Sequence, residues 1–174
     1  MSTTTDQTAI KIITLPAKKY LGVRRNNISI ADGDFPKWIK EASRLISPVL
    51  NRTCYPTVTA FPRFVSPQDA DIEHLLFVDQ ELSIDSDLVN RVENSQPNDE
   101  GLKAQLSEMP SGEYAYFRYV GPYEGLSSVW NKLMKEKLSG YVHTEPCWEE
   151  YINDCTQVKK EELITDLYWK LEKQ

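Results

Sequence analysis

Hydrophobic residues recur three and four positions apart in two segments of the chain, 35–50 and 123–140. This spacing places them on one face of a helix, so each segment predicts an amphipathic α-helix. Asp34 stands where the first helix needs an N-cap, which favours a helix start at that point. Trp38 and Trp130 occupy equivalent positions in the two apolar stripes, where a tryptophan is more typical of a core than of a ligand contact.

Extended runs surround each predicted helix. One run rich in aromatic and β-branched residues precedes each helix, at 15–25 and 109–119, and two more follow it. The following runs are 56–65 and 71–82 in the first half, and 147–154 and 162–172 in the second. Pro62 and Pro67 interrupt the first of these regions, which predicts an edge strand or a bulge there.

The chain therefore predicts an internal repeat. The two leading strands align without a gap, so that Tyr20 matches Tyr114 and Arg24 matches Arg118. Both halves read strand, helix, strand, strand. One helix covers only one face of its sheet, so two such units are expected to pack side by side. The predicted fold class is α+β, with tandem βαββ repeats related by pseudo-twofold symmetry. Helices are expected on one sheet face, with a concavity on the other.

A single domain is expected to span residues 1–174. We place the first repeat at about 10–82, a linker at about 83–108 and the second repeat at about 109–174. The expected linker is polar and rich in Asn, Asp, Ser and Glu, with room for a short helical turn.

Composition narrows the function classes. The formal net charge is −6, and attraction to nucleic acid requires clustered Lys and Arg, so we expect no direct binding to nucleic acid. No stretch approaches the roughly 20 apolar residues that a membrane-spanning helix requires, and the N-terminus lacks a secretory pattern. The chain is therefore expected to be cytoplasmic and without membrane contact.

Cysteine and histidine positions do not predict a metal site. Cys54, Cys147 and Cys155 form no CxxC pair, so reduced thiols are expected instead of a disulfide framework or a zinc ribbon. His143 lies four positions before Cys147, but further ligands at metal spacing are missing. His74 lies in an apolar run, where a satisfied or edge-facing histidine is expected. We predict no metal and no cofactor.

Three ordered motifs in the second half carry a resemblance to a known family. They are EYAYFRYVGPYEGL at 113–126, PCWEEYIND at 146–154 and ELITDLYWKL at 162–171. Together they resemble the GyrI-like (DNA gyrase inhibitor-like) small-molecule-binding domain, which is also the effector-binding module of AraC-type and MerR-type transcription regulators. The motifs cover about 60 residues, whereas the first half matches only as a repeat pattern.

The resemblance implies that the concave sheet face encloses a pocket for lipophilic, often cationic, compounds. The pocket glutamate of the family corresponds to Glu149, and its aromatic partners correspond to Tyr151 and Tyr168. Tyr123 follows Gly-Pro in the turn before the second helix and is a further candidate ligand contact.

Period-two alternation assigns side chains to the two sheet faces. The helix side is expected to hold Trp148, Glu150, Ile152, Leu167, Trp169 and Leu171. Glu149 and Tyr151 would then face the concavity beside Tyr168. Tyr116 and Arg118 either line the same concavity or lie exposed on the sheet, and both readings stay open. The alternative for Glu149 is an exposed acid at a strand edge.

A glutamate held among aromatic rings would select ligands that are both positive and apolar. Burial raises its pKa, and a bound cation restores the charged form. Aromatic faces add cation–π attraction. The leading prediction is therefore a stand-alone effector-binding or drug-binding domain without catalysis, whose partner is a lipophilic or cationic small molecule.

Two other functions stay open. If the protein is an enzyme, it would hydrolyse electrophilic small molecules, with Glu149 as general base and Tyr151 as an orienting phenol. The sequence contains no GxSxG motif, no Gly-rich phosphate loop and no HExxH motif that would indicate another chemistry. The remaining alternative, implied by the family name, is an interaction module that contacts DNA gyrase or a regulator protein.

Overall fold

The computed structural model describes residues 9–31, 33–78 and 83–174, which fall into two compact units. The N-terminal unit is Pro16–Ser111, and the C-terminal unit combines residues 9–15 with Gly112–Gln174. In chain order the elements are β1 (Lys11–Leu15), β2 (Lys18–Ile28), α1 (Phe35–Leu50), β3 (Val58–Ser66), β4 (Asp69–Phe77), α2 (Ser86–Asn94), β5 (Gln105–Met109), β6 (Gly112–Val120), α3 (Leu126–Leu133), β7 (Tyr141–Tyr151) and β8 (Ile164–Lys173).

The N-terminal unit is an antiparallel sheet in the order β3, β4, β2, β5. The predicted first helix is confirmed as α1, and its apolar stripe packs with α2 on one sheet face. The core there consists of Leu21, Val23, Ala42, Ile46, Val49, Leu88, Val92 and Ala104. Asp34 occupies the N-cap position of α1, although its side chain makes no capping hydrogen bond.

The segment 83–108, expected to be a linker, holds α2 and the edge strand β5. Asp85 caps α2, because its carboxylate accepts the backbone N–H of Leu88 at 2.8 Å. Leu88 and Val92 lie one helical turn apart and are both buried, so this polar helix still contributes to the core.

A bulge at Pro62 is confirmed. The register between β3 and β4 shifts between Ala60 and Arg63, and it shifts again between Phe64 and Ser66. Proline has no N–H to donate to the ladder, so the strand is displaced where it would have to donate.

The C-terminal unit is an antiparallel sheet in the order β1, β6, β8, β7. Leu126 and Leu133 of α3 pack on Leu167 and Trp169 of β8, as the alternation in that strand predicted. The second helix is shorter than expected, because α3 ends at Leu133 and the next bonds close three-residue turns, such as Glu136 N–H to Leu133 C=O.

Both units contain the predicted strand, helix, strand, strand order, and each gains an edge strand from elsewhere in the chain. β1 comes before β2 but pairs with β6, whereas β5 comes before β6 but pairs with β2. The α+β class is confirmed. None of the helices that the structure describes is long and apolar enough to cross a membrane.

Candidate functional site

Glu149 lies on the face of the C-terminal sheet that packs against α3. Its partner across the β7–β8 ladder is Leu167, which belongs to the core formed with Leu126 and Leu133. Residues directly opposite in an antiparallel pair point to the same side. Only 6% of the Glu149 surface is exposed. The alternative of a solvated edge acid is therefore wrong, and so is the expected placement on the face away from the helix.

Both carboxylate oxygens of Glu149 accept hydrogen bonds. Trp130, on α3, donates its indole N–H to Oε1 at 2.7 Å, and Tyr151 donates its hydroxyl to Oε2 at 2.9 Å. The ion pairs found among the described residues do not include Glu149. The acid is thus held in place by neutral donors, with no basic side chain paired to it.

Burial raises the pKa of Glu149. The hydrogen bonds from Trp130 and Tyr151 favour the ionised form and act in the opposite direction, but burial is the larger effect. The expected direction for a buried glutamate is confirmed. A positive group brought beside the carboxylate would favour its ionised form and lower the pKa again.

Tyr123 completes the group around the acid. It begins a short 3₁₀ turn, Tyr123–Gly125, and its ring packs edge-on against Tyr151 with centroids 5.4 Å apart. Burial raises the pKa of Tyr123, and Cys155, Asp154 and Glu149 raise it further in that order, so Glu149 makes the smallest of these contributions. Glu149, Trp130, Tyr151 and Tyr123 are called the Glu149 cluster below.

The turn that carries Tyr123 is held by Tyr119. The Tyr119 hydroxyl donates to the backbone carbonyl of Pro122 at 3.0 Å. The same hydroxyl lies directly over Gly121 and Gly125, where a Cβ atom would collide with it. A Cβ atom at Gly125 would require the Tyr119 ring to move, although the φ of −81° at this position suits any residue.

Tyr168 lies on the opposite face of the same sheet. It pairs with Trp148 across the ladder, and the two rings stack with centroids 4.8 Å apart at an interplanar angle of 14°. Tyr114 packs edge-on against Trp148, and Tyr116 packs against Tyr168. Large aromatic side chains therefore fill the sheet face opposite to that of Glu149.

Arg118 also lies on this opposite face, in a paired arrangement with Asp166. Its Nε and Nη2 atoms donate to the two carboxylate oxygens at 2.7 and 2.8 Å, and the Tyr116 hydroxyl adds a third bond to Asp166 at 3.1 Å. Asp166 is buried, whereas the Arg118 side chain is 42% exposed. Asp166 therefore already has a cationic partner.

The structure thus divides the predicted site residues into two groups. Glu149, Tyr151 and Tyr123 come together under α3, while Tyr168, Tyr116 and Arg118 lie on the other side of the sheet. Trp148 and Glu150 were expected on the helix side, but they pair with Tyr168 and Asp166 on the other. Ile152 lies just beyond the end of β7 and is 45% exposed. Both faces carry large apolar rings, so the hydrophobicity of Trp148 did not identify the helix side.

Trp130 is the member of the Glu149 cluster that sequence reasoning assigned to the core alone. A buried indole needs an acceptor for its single N–H, and a glutamate was already expected nearby. That requirement was the available signal, but it does not say which of several acids is the acceptor.

Cysteine and histidine residues supply no further chemistry at the cluster. Burial raises the pKa of the Cys147 thiol to about 12, so it stays protonated. His74 is buried and bonds Thr59 through Nδ1 at 3.1 Å, but its Nε2 has no hydrogen-bond partner among the described residues, so the expected satisfied histidine is found only in part. Within the described ranges no group of His, Cys, Asp and Glu could hold a metal ion.

Comparisons with known proteins agree with this fold. A family model of the GyrI-like small molecule binding domain matches residues 8–172. The chain therefore belongs to the GyrI-like family of small-molecule-binding domains. No curated protein matches it significantly in sequence.

Solved structures share the fold at low sequence identity. The C-terminal domain of EcmrR gives a TM-score of 0.66 at 16% identity over 95% of this chain and 98% of that one. SAV2435 bound to tetraphenylphosphonium gives 0.63 at 12%, over 95% and 94%. A hydrolase from Listeria innocua gives 0.59 at 13%, over 94% and 91%. The chain spans 58% of the EcmrR chain in a structure of its DNA complex.

Proposed function

We propose that this protein binds lipophilic cations at the Glu149 cluster. The observation that carries the proposal is a carboxylate with only 6% of its surface exposed, two neutral hydrogen-bond donors and no basic partner among residues 9–31, 33–78 and 83–174. A charge buried in this way is unfavourable unless a cation joins it. An incoming cation would supply the missing partner.

The chemistry around the carboxylate favours a particular ligand class. Each oxygen of Glu149 already accepts one hydrogen bond, so the ligand need not bring N–H donors. Tyr151, Tyr123 and Trp130 offer aromatic surface, and a cation over a ring gains about 0.5–2 kcal/mol. An ion pair at about 4 Å adds on the order of 4 kcal/mol before desolvation is subtracted, at an effective dielectric near 20. Apolar cations without N–H groups fit these features.

The similar structures are consistent with this class. SAV2435 has been solved bound to tetraphenylphosphonium, which is an apolar cation without N–H groups. At 12% identity the likeness extends to the fold alone, so the ligand class for this chain rests on the Glu149 cluster itself.

A thermal-shift series tests the proposal. Tetraphenylphosphonium and neutral triphenylphosphine oxide are added over a range of concentrations, because a ligand that binds only the folded state stabilises it with the logarithm of its concentration. We expect a rising melting temperature with the cation, a much smaller rise with the neutral compound, and loss of the difference in Glu149→Gln. Equal shifts for both compounds would leave only non-selective apolar binding.

Hydrolysis of electrophilic small molecules is the second candidate, because Tyr151 donates to a glutamate whose burial raises its pKa. A raised pKa makes the carboxylate a stronger base, so such a pair could accept a proton from water. A Listeria innocua protein of the same fold is described as a hydrolase. Epoxide turnover by the native chain that stops in Glu149→Gln would favour this role. Tyr151→Phe should meanwhile still bind tetraphenylphosphonium. No turnover by the native chain would exclude it for that substrate.

A further inference from the structure

Asp154 is a second carboxylate near the Glu149 cluster, and it is exposed to solvent. It lies in the segment 152–163, which joins β7 to β8, five residues beyond Glu149. Its Oδ1 accepts the backbone N–H and the hydroxyl of Thr156, both at 2.7 Å. These bonds fix the carboxylate in its turn and lower its pKa, so Asp154 is ionised at neutral pH.

Asp154 has no basic partner in the part of the chain that the structure describes. Lys160 of the same segment donates to Glu124 instead, at 2.9 Å. Glu124 belongs to the 3₁₀ turn Tyr123–Gly125, so this ion pair joins the segment to the turn that carries Tyr123. The segment therefore presents an uncompensated negative charge beside the cluster.

Asn153 holds the start of the segment in place. Its Oδ1 accepts the backbone N–H of Ile164 at 2.9 Å, and its Nδ2 donates to the backbone carbonyl of Glu162 at 2.8 Å. Both bonds reach the far end of the segment, so its two ends are held together. Asp154 directly follows Asn153, and its position is constrained in the same way.

Tyr123 lies within electrostatic reach of both acids. After burial and Cys155, the charges of Asp154 and Glu149 each raise its pKa. Tyr123 and its ring partner Tyr151 are only half-buried, unlike Glu149. Aromatic surface that solvent can reach therefore lies between a buried carboxylate and an exposed one.

A buried hydroxyl marks the same end of the cluster. Thr165 stands opposite Tyr151 across the β7–β8 ladder, so it shares the sheet face of Glu149. Its side chain is fully buried, and its Oγ1 has no hydrogen-bond partner among the described residues. A buried hydroxyl without a partner is unfavourable, and its oxygen lone pairs are free to face a cation.

We propose that Asp154 makes the Glu149 cluster selective for elongated dications, with one cationic group at Glu149 and the other at Asp154. This inference rests on the proposed function, because Glu149 remains the inner anchor. The Cα atoms of the two acids are at most about 18 Å apart, since five residues span no more even when fully extended. A flexible alkyl chain with a quaternary ammonium at each end fits this arrangement, and the rings of Tyr123 and Tyr151 lie along its path.

Isothermal calorimetry at low ionic strength tests the selectivity. Decamethonium carries a trimethylammonium at each end of an alkyl chain, and n-decyltrimethylammonium keeps that chain with one charge. Both are titrated into the native chain and into Asp154→Asn, in which the amide oxygen can still accept the Thr156 bonds. We expect Asp154→Asn to weaken decamethonium about fivefold, the upper range for an exposed ion pair, and the monocation less than twofold.

Glu161→Gln is the matched control, because it removes one negative charge from an exposed position of the same segment. It should leave the affinities for both compounds within twofold of the native values. Glu149→Gln should weaken both compounds at least tenfold.

An equal effect of Asp154→Asn on both compounds, or no effect on either, would overturn the inference. The proposed function would still stand in that case if Glu149→Gln weakened both compounds. Absence of decamethonium binding to the native chain would also overturn the inference, and titration with tetraphenylphosphonium then decides the proposed function separately.

Discussion

Glu149 and Tyr168 lie on opposite faces of one sheet, although each was expected to line the same concavity. Glu149 is opposite Leu167 across the ladder, and Tyr168 is opposite Trp148. Their neighbours differ accordingly, because α3 covers the first face and a stack of aromatic rings fills the second. Substitutions on the two faces should therefore separate stability from binding of lipophilic cations.

Arg118→Ala tests that separation. Removing the guanidinium leaves the buried Asp166 without its cation. The loss of folding stability is limited because the Arg118 side chain is 42% exposed and its charge is partly screened by solvent. We expect a loss of about 1–2 kcal/mol in the free energy of unfolding. The dissociation constant for tetraphenylphosphonium should change less than twofold, as measured by calorimetry. A tenfold loss of affinity would place Arg118 in the binding site.

Trp130→Phe removes the hydrogen bond to Oε1 of Glu149. A buried charged group that loses a donor costs about 1–3 kcal/mol, so denaturant unfolding should show a loss of this order. The pKa of Glu149 should rise further, because the indole N–H favours the ionised form. Carboxyl carbon NMR titration of Glu149 measures this rise directly.

Trp169→Phe is the control for Trp130→Phe. The indole nitrogen of Trp169 is buried without a hydrogen-bond partner among the described residues, so its loss removes volume and no bond. It should destabilise the protein through packing and leave the pKa of Glu149 in place. If both variants move that pKa equally, the Trp130 hydrogen bond does not set it.

Stability should depend on pH through Glu149. Its pKa is raised in the folded state, so the folded form retains a proton that the unfolded form has lost. This contribution to stability is fully present below the unfolded pKa of about 4.3 and is lost as pH rises through the folded pKa. Each pH unit between the two values corresponds to about 1.4 kcal/mol.

Comparison with Glu149→Gln separates the pH-dependent stability due to Glu149 from that due to Glu73, another buried glutamate whose pKa is raised by burial. We expect the variant to gain stability relative to the native chain as pH rises from about 4 toward 8. Denaturant unfolding at several pH values gives the difference curve. A difference that is flat over this range would mean that the folded protein does not perturb Glu149.

Gly125→Ala should disturb the turn that carries Tyr123. The added methyl would meet the Tyr119 hydroxyl, so we expect a loss of about 1–3 kcal/mol from overpacking. Tyr119→Phe removes that hydroxyl and its bond to the carbonyl of Pro122, and Gly125→Ala should cost less in this background. A double-mutant cycle measures the coupling, and strict additivity would show that the contact does not constrain the turn.

Much of the fold followed from periodicity, because the apolar side chains of α1 and of β8 recur on one face of each element. The apolar stripe of α1 and the helix-side placement of Leu167 and Trp169 are confirmed. The short polar helix α2 was harder to predict, since only Leu88 and Val92 of its residues are buried. The apolar spacing continues beyond Leu133, so it did not indicate that α3 ends there and that three-residue turns follow.

The candidate site was predicted in part. The burial of Glu149 and the direction of its pKa are confirmed, but its face was wrong because Trp148 on the adjacent position is also buried. The burial of Glu73 was not predicted at all. Glu73 lies in β4, whose side chains are buried on both faces. The sequence of such a strand does not alternate between apolar and polar residues, so it gives no sign that a charged residue is buried there.

Isothermal calorimetry with three forms of the protein tests the central claim most directly. Tetraphenylphosphonium and triphenylphosphine oxide are titrated into the native chain, Glu149→Gln and Glu150→Gln. Glu150 undergoes the same chemical change one position along β7, on the opposite face. We predict that Glu149→Gln weakens the cation at least tenfold, which is about 1.4 kcal/mol, and the neutral compound less than twofold. Glu150→Gln should match the native chain. Equal cation affinity in all three forms would contradict the account.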